Sequence, residues 1–317
     1  MPYKSLLQSN LFIFVYVLGK KLVLKDMKKS GLYFVYLFVL VSLSACLKSE
    51  SSFLNQQQED EQKILAYLNQ NNINATRSPT GLYYVITQQG TGKKPSSLEE
   101  IANIDTDIFL LDGVKIITEK DFTFRFKNGI SINGLLEATS LLNEGGSGRF
   151  FIPSDRAFGQ GSGTINGVNV PANAILIAEV KLNSLRDDEQ QKAWEAQQIS
   201  SYFTQKNLTL TKDTIGIFYS NLLSVAEGTR IRTSNRVSVS YKGLLLNGKT
   251  FDSGNISFTI GTGAVIQGLD IGIRLMKKGE KGILVIPSHL AYQDRGRGEL
   301  IRPFDPLVFE IEVTNVE

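Results

Sequence analysis

The chain of 317 residues holds one His, one Cys, one Trp, three Met and eight Pro. So small a stock of His and Cys excludes a His-rich or Cys-rich metal site and an intramolecular disulfide, and leaves at most one Cys–His pair or triad to consider. No metal and no cofactor is expected. Charge of one sign is also missing, since 34 Lys and Arg stand against 31 Asp and Glu for a net +3. Residues 1–45 contribute +5 from six Lys and one Asp, which leaves −2 for residues 46–317. A body so near neutral offers no basic face to phosphates, so nucleic acid is not an expected partner. What is present is a hydrophobic fraction of 42%, enough for ordinary cores, in a length that suits two or three domains.

The first 45 residues read as an export signal. Met27-Lys28-Lys29 precedes an apolar run from Leu32 to Leu43 that only Ser42 interrupts, shorter than the ~20 residues of a membrane-spanning helix. Leu43, Ser44 and Ala45 before Cys46 resemble the lipobox of bacterial lipoproteins, in which the cysteine is acylated after cleavage. Cys46 is then the lipid anchor, against the alternative of a buried cysteine in a membrane helix. The polar residues 46–62 read as a tether, and Leu47 after the cysteine gives no obvious inner-membrane retention signal. A cell-envelope location follows, with the outer membrane preferred and the protein facing the periplasm or the cell surface. A second apolar run, Leu11 to Leu18, broken by Gly19-Lys20-Lys21, does not fit a single signal, so translation is expected to start at Met27.

An internal repeat organises the rest. Ile64, Tyr67, Asn72, Gly81, Tyr83 and Tyr84 recur 135 residues later as Ile199, Tyr202, Asn207, Gly216, Phe218 and Tyr219. Ile132, Gly134, Leu135, Gly145, Ile152, Pro153, Ser154, Ala157 and Phe158 recur after 134 as Ile266, Gly268, Leu269, Gly279, Ile286, Pro287, Ser288, Ala291 and Tyr292. Two homologous domains are expected. Each opens with an amphipathic helix, marked by Ile64, Leu65, Tyr67 and Leu68 in the first and by Trp194, Ile199 and Tyr202 in the second. Val237, Val239 and Tyr241, then Leu307, Phe309, Ile311 and Val313, alternate with polar or outward residues as strands with one buried face. Between them Ile266, Leu269, Ile273 and Met276 predict a short helix closed by Gly279. The fold class is α+β, an antiparallel curved sheet wrapped on a short helix in each half.

The second half carries Val237-Ser-Val239-Ser-Tyr241-Lys-Gly243, Asn247-Gly248, Phe251-Asp252-Ser253, Val265-Ile266-Gln-Gly268, Met276, Gly279, Ile286-Pro287, Leu290-Ala291-Tyr292 and Leu307-Val-Phe309. In order and separation these resemble the FKBP-type peptidyl-prolyl cis/trans isomerases. The resemblance divides the chain into residues 63–186, an FKBP-like domain, 187–233, a helical connection with a lead-in strand, and 234–317, the isomerase domain. A double-domain lipoprotein of this sort is similar to those of the Bacteroidetes group. The resemblance implies proline-containing polypeptides as clients and a pocket walled by Tyr241, Phe251, Val265, Ile266, Leu269, Tyr292, Ile301 and Phe309, with Ile256 and Leu300 beside it. It further implies that Tyr292 and the backbone N–H of Ile266 bind substrate carbonyls, and that Asp252 stands beside the twisting amide. Membrane attachment is through the lipid anchor, and the rival reading is a non-catalytic binding or assembly module of a cell-envelope complex.

Isomerisation suits the composition. Rotation about an Xaa–Pro bond is slow because amide resonance must be broken, at a barrier near ~20 kcal/mol, and it requires neither nucleophile nor metal. The twisted amide has lost charge separation, so an apolar pocket disfavours it less than it disfavours the planar form. Each apolar wall residue taken alone is more often simply core; the ordered set carries the reading. Two residues depart from the family pattern: Leu269 stands where many members have Trp, and Ile256 replaces another frequent aromatic, so a wider, softer pocket is expected. Residues 293–302, with Arg295, Arg297, Arg302, Asp294 and Glu299, read as an exposed turn. His289 reads as a surface or capping residue. In the first half Asp112-Gly113 keeps the turn, while Ile116, Ile117 and Thr106 replace Phe251, Asp252 and Tyr241; the fold is expected to persist without the catalytic set. Gly145-Gly146-Ser147-Gly148 and Gly159-Gln-Gly161-Ser-Gly163 lack the strand and helix context of a phosphate loop.

Overall fold

The computed structural model describes residues 54–213 and 215–317. The signal, Cys46 and the first part of the tether lie outside the described residues. Helix α1 covers 54–70, so the tether reading runs into helical residues. β1 (Thr76–Arg77), β2 (Tyr83–Gln88), β3 (Ile101–Leu110), β4 (Lys115–Arg125), α2 (Asn133–Leu141), β5 (Ser147–Ile152), the small hairpin β6 (Gly163–Ile165) and β7 (Val168–Val170), and β8 (Leu176–Arg186) follow. The second half runs α3 (Asp188–Gln205), β9 (Thr211–Lys212), β10 (Phe218–Leu223), β11 (Arg236–Leu245), β12 (Thr250–Thr259), α4 (Gln267–Ile273), β13 (Lys281–Ile286) and β14 (Leu307–Val316).

The two halves share one topology. Their six-stranded sheets run β1-β2-β5-β8-β3-β4 and β9-β10-β13-β14-β11-β12, with every pairing antiparallel. The lead-in strand β10 pairs with β13 and so belongs to the second sheet. On the inner faces, α2 and α4 close separate cores around Leu135, Phe150 and Ile152 and around Leu269, Leu284 and Ile286.

The expectation of one buried face is corrected by the structure. Ile199, Tyr202 and Phe203 of α3 pack with Phe218, Ile283, Val285 and Val308, and Ile64 and Leu68 do the same with Tyr83, Phe151 and Ile177. Each sheet is therefore covered on both faces at its centre, which is why Gly282–Ile286 is buried without alternation. A capping box starts α3, in which Asp187 Oδ1 accepts from Gln190 N at 2.8 Å and Gln190 Oε1 accepts from Asp187 N at 3.0 Å.

Gly279 does not close the short helix. That helix ends at Ile273, capped by Arg274, whereas Gly279 has φ +87° and donates to Val313 O at 2.8 Å. It turns the chain into β13, a conformation open to glycine at little cost.

Candidate active site

Phe251 owes its position to a break in the ladder. Gly243 pairs with Asp252 and Leu244 with Thr250, so Phe251 is an extra residue on β12; such bulges re-aim a side chain. Its ring lies against Gly243, where a Cβ would stand 2.6 Å from the ring. It meets Phe309 of β14 edge-on, at 5.7 Å and 84°. Tyr241 tilts against the same Phe309 at 6.2 Å and 48°, so three strands contribute one aromatic cluster.

Asp252 is exposed at the rim of this cluster rather than sunk in it. Tyr241 Oη donates to Asp252 Oδ2 at 2.7 Å, and Ser253 N donates to Asp252 Oδ1 at 2.9 Å. Burial, reinforced by the bond to Asp252, pushes the Tyr241 phenol up to about 12, so Tyr241 is a neutral donor at physiological pH. Tyr292 follows the 3₁₀ turn Ser288–Leu290. Arg297 lies over its ring at 5.2 Å and donates from Nη1 to Tyr292 Oη at 3.0 Å. That bond uses the phenolic oxygen as acceptor and leaves its proton for another partner.

Phe251, Asp252, Tyr292, Arg297, Leu300 and Ile301 line a cavity of about 320 Å³, within the range of small-ligand sites. Ile301 is buried and Leu300 is 38% exposed. Ile266 caps the start of α4 with its carbonyl accepting from Leu269 N and Asp270 N. Val265, Ile266 and Ile256 are half-buried against the second core, and Leu269 lies within it; these four do not line the cavity. His289 is half-buried, and burial draws its pKa down. A wider depression of about 470 Å³ on the first sheet is lined by Asp105, Asp107, Lys120, Arg149, Glu179 and Lys181 among others, without an aromatic ring, so it offers a proline ring little to bury against.

The turn that carries Tyr292 has a support the sequence reading missed. Glu195 of α3 is 1% exposed and accepts from Ser288 N at 2.9 Å, Ser288 Oγ at 2.7 Å and Gln191 Nε2 at 3.0 Å. Desolvation pushes its pKa up against those hydrogen bonds. In the first half, buried Asp60 accepts from Ser154 N at 2.8 Å. The signal was available, because Asp60 and Glu195 share the 135-residue spacing of Ile64 and Ile199.

Register fixes the equivalences in the first half. Ile108 pairs with Ile117 and Phe109 with Lys115, so Ile116 is the bulged residue in place of Phe251. Ile108 stands where Gly243 makes room for an aromatic ring, and Ala178, the partner of Ile108 on β8, stands for Phe309. Ile108, Ile116, Ile132, Leu135 and Val170 are all buried. Aliphatic side chains fill the space that the second half gives to its aromatic cluster.

The chain matches the family model for FKBP-type peptidyl-prolyl cis-trans isomerase over residues 92–183 and 228–314. It belongs to that family. FK506-binding protein 1A of Neurospora crassa is 42% identical over 97 residues, 29% of this chain and 81% of that protein. The FK506-binding protein of Neisseria meningitidis is 42% identical over 85 residues, 25% of this chain and 78% of that protein. Longer relatives are covered less, as with 28% of FK506-binding protein 4 of Dictyostelium discoideum. Among solved structures, the peptidyl-prolyl cis-trans isomerase of Pseudomonas syringae pv. tomato is 33% identical, covering 42% of this chain and 97% of that one at a TM-score of 0.36. The chain is thus an FKBP-type peptidyl-prolyl cis-trans isomerase with two FKBP regions, each an antiparallel sheet with few helices.

Proposed function

We propose that the second FKBP domain isomerises Xaa–Pro bonds in exported polypeptides and that the first does not. The observation that carries this is the cavity bounded by Phe251, Asp252, Tyr292 and Ile301, backed by the Phe251–Phe309–Tyr241 cluster. A proline ring enters against Phe251 and Ile301. Tyr292 Oη donates to one carbonyl flanking the proline, and the N–H of Ile266, outside the cavity lining at the start of α4, donates to the other where the chain leaves the cavity, fixing it on either side of the bond that must turn. The amide inside loses resonance on twisting, and an apolar surround penalises that less polar form less than bulk water does. Asp252 holds Tyr241 in place through the 2.7 Å bond and sets a negative charge at the rim. Ile256, Val265 and Leu269 support this wall from the core side.

Cys46 is the proposed acylation site, attaching the protein to the membrane, the outer one in preference, with α1 leading into the domains. Several acyl chains hold a protein firmly where one would be marginal. Nucleic acid has no part in this reading. A non-catalytic role is assigned to the first domain alone, because the buried Ile108, Ile116 and Ile132 fill the space that the second domain gives to its aromatic cluster.

The test is acceleration of cis-to-trans conversion in a proline tetrapeptide by the full chain, and its inhibition by FK506, the ligand in the names of several relatives. Acceleration that FK506 suppresses supports the reading; a rate equal to the uncatalysed one overturns it. For the anchor, Cys46→Ser is expected to move the protein from the membrane fraction to the soluble one, and an unchanged membrane fraction would overturn lipidation.

A further inference from the structure

Residues 293–302 are more than the exposed turn the sequence suggests. Arg297 N donates to Ile301 O at 2.8 Å and Ile301 N to Arg297 O at 3.3 Å, so the segment closes on itself. It carries Arg297, Leu300 and Ile301 to the cavity. Both of its ends are held by the first domain. Before the closure, Arg125 of β4 donates from Nε to Asp294 Oδ2 at 3.0 Å, and Asn128 Nδ2 donates to Asp294 O at 3.3 Å. After it, Arg302 Nη1 donates to Lys120 O at 3.1 Å and lies 3.5 Å from Glu119 Oε2.

The two ends differ in weight. Arg302 and Glu119 are 38% and 42% exposed, and such pairs contribute little. Arg125 is 10% exposed. It also donates to Glu99 O at 2.7 Å and to Asp188 at the start of α3, and it lies over the Phe304 ring at 5.8 Å. A guanidinium so placed is screened less than a surface pair and meets several acceptors along fixed directions.

We propose that Arg125 is a positioning residue for the active site of the other domain: the catalytically silent first half holds the loop that walls the proline cavity of the second. The role left to the first domain is thus to shape the site next to it. This rests on the isomerase reading above, and the test separates the two. In the full chain, Arg125→Gln and Asp294→Asn are compared with wild type for KM and kcat on a proline peptide, and for amide hydrogen exchange of residues 293–302. Arg77→Gln, at the exposed pair with Glu61, is the control. Each test variant is expected to raise KM about fivefold with kcat nearly constant, as for a loop that binds rather than twists the substrate, and to speed exchange in 293–302 but not in β14. The double variant is expected to fall short of the product of the two effects, and Arg125→Lys, which keeps the charge but not the fork, to lie between. Unchanged KM and unchanged loop exchange in both variants overturn the proposal, as does a lowered Tm with both kinetic constants unchanged. Absence of isomerisation by wild type overturns the functional reading instead, and the exchange measurement then decides the loop on its own.

Discussion

Phe251 has no partner of its own in the β11–β12 register, and Gly243 has no side chain where the Phe251 ring lies. The two facts are one device, since a bulge aims the ring and a glycine admits it. Gly243→Ala is therefore expected to displace Phe251 and lower kcat/KM while the domain stays folded; an unaltered rate would show that the ring is not a wall of the site. Tyr241 adds a pH signature. Its folded pKa is raised from 10.0 to about 12, so the stability it contributes is complete below pH ~10 and lost as pH rises through the folded value. Wild type is expected to lose stability to urea more steeply than Tyr241→Phe between those values, and parallel curves would contradict the assignment. Phe251, Asp252 and Tyr292 were legible from ordered motifs. Arg125 was not, because its partner Asp294 stands 169 residues away and nothing local marks an arginine that will be buried. Asp252 lines the cavity from an exposed position at its rim.

At the scale of elements, the repeated glycines Gly134 and Gly268 mark where a short helix meets its sheet. A Cβ at either would collide with the Cγ2 of Ile152 or Ile286. Gly268→Ala is expected to destabilise the protein by about 1–3 kcal/mol through overpacking, read as a lower urea midpoint; an unchanged midpoint would mean the helix moves away freely. The buried carboxylate of each leading helix is the second repeated device. Burial raises the Glu195 pKa above 4.5, so its ionised form is disfavoured, and the stability this group contributes is complete at low pH and declines as pH rises through the raised value. Glu195→Gln is expected to flatten that decline while keeping part of the bonding to Ser288, and an identical pH profile would refute the link. Strand periodicity revealed the inner faces of the sheets. It could not reveal α3 packed on the outer face, because a strand covered on both sides shows a plain apolar run, as in Ile283–Ile286.

At the scale of the molecule, one fold is used twice with different contents. Residues 60–317 form one compact unit, in which the first sheet encloses Ile108, Ile116 and Ala178 and the second opens a cavity beside Phe251 and Tyr292. The duplication and the loss of the aromatic–carboxylate pair were legible because equivalent positions could be read across the repeat. Whether the first cleft was open could not be read, since Ile116 and Ile132 serve equally as a wall or as filling; burial decides for filling. The central claim is that isomerisation occurs at the Phe251–Asp252 site. Its most direct test is kcat/KM for a proline peptide measured in the full chain for wild type, Phe251→Ala and Asp252→Leu, with folding of each checked by circular dichroism. Both folded variants are expected to lose at least about tenfold, or ~1.4 kcal/mol of transition-state stabilisation; rates equal to wild type in both would contradict the account.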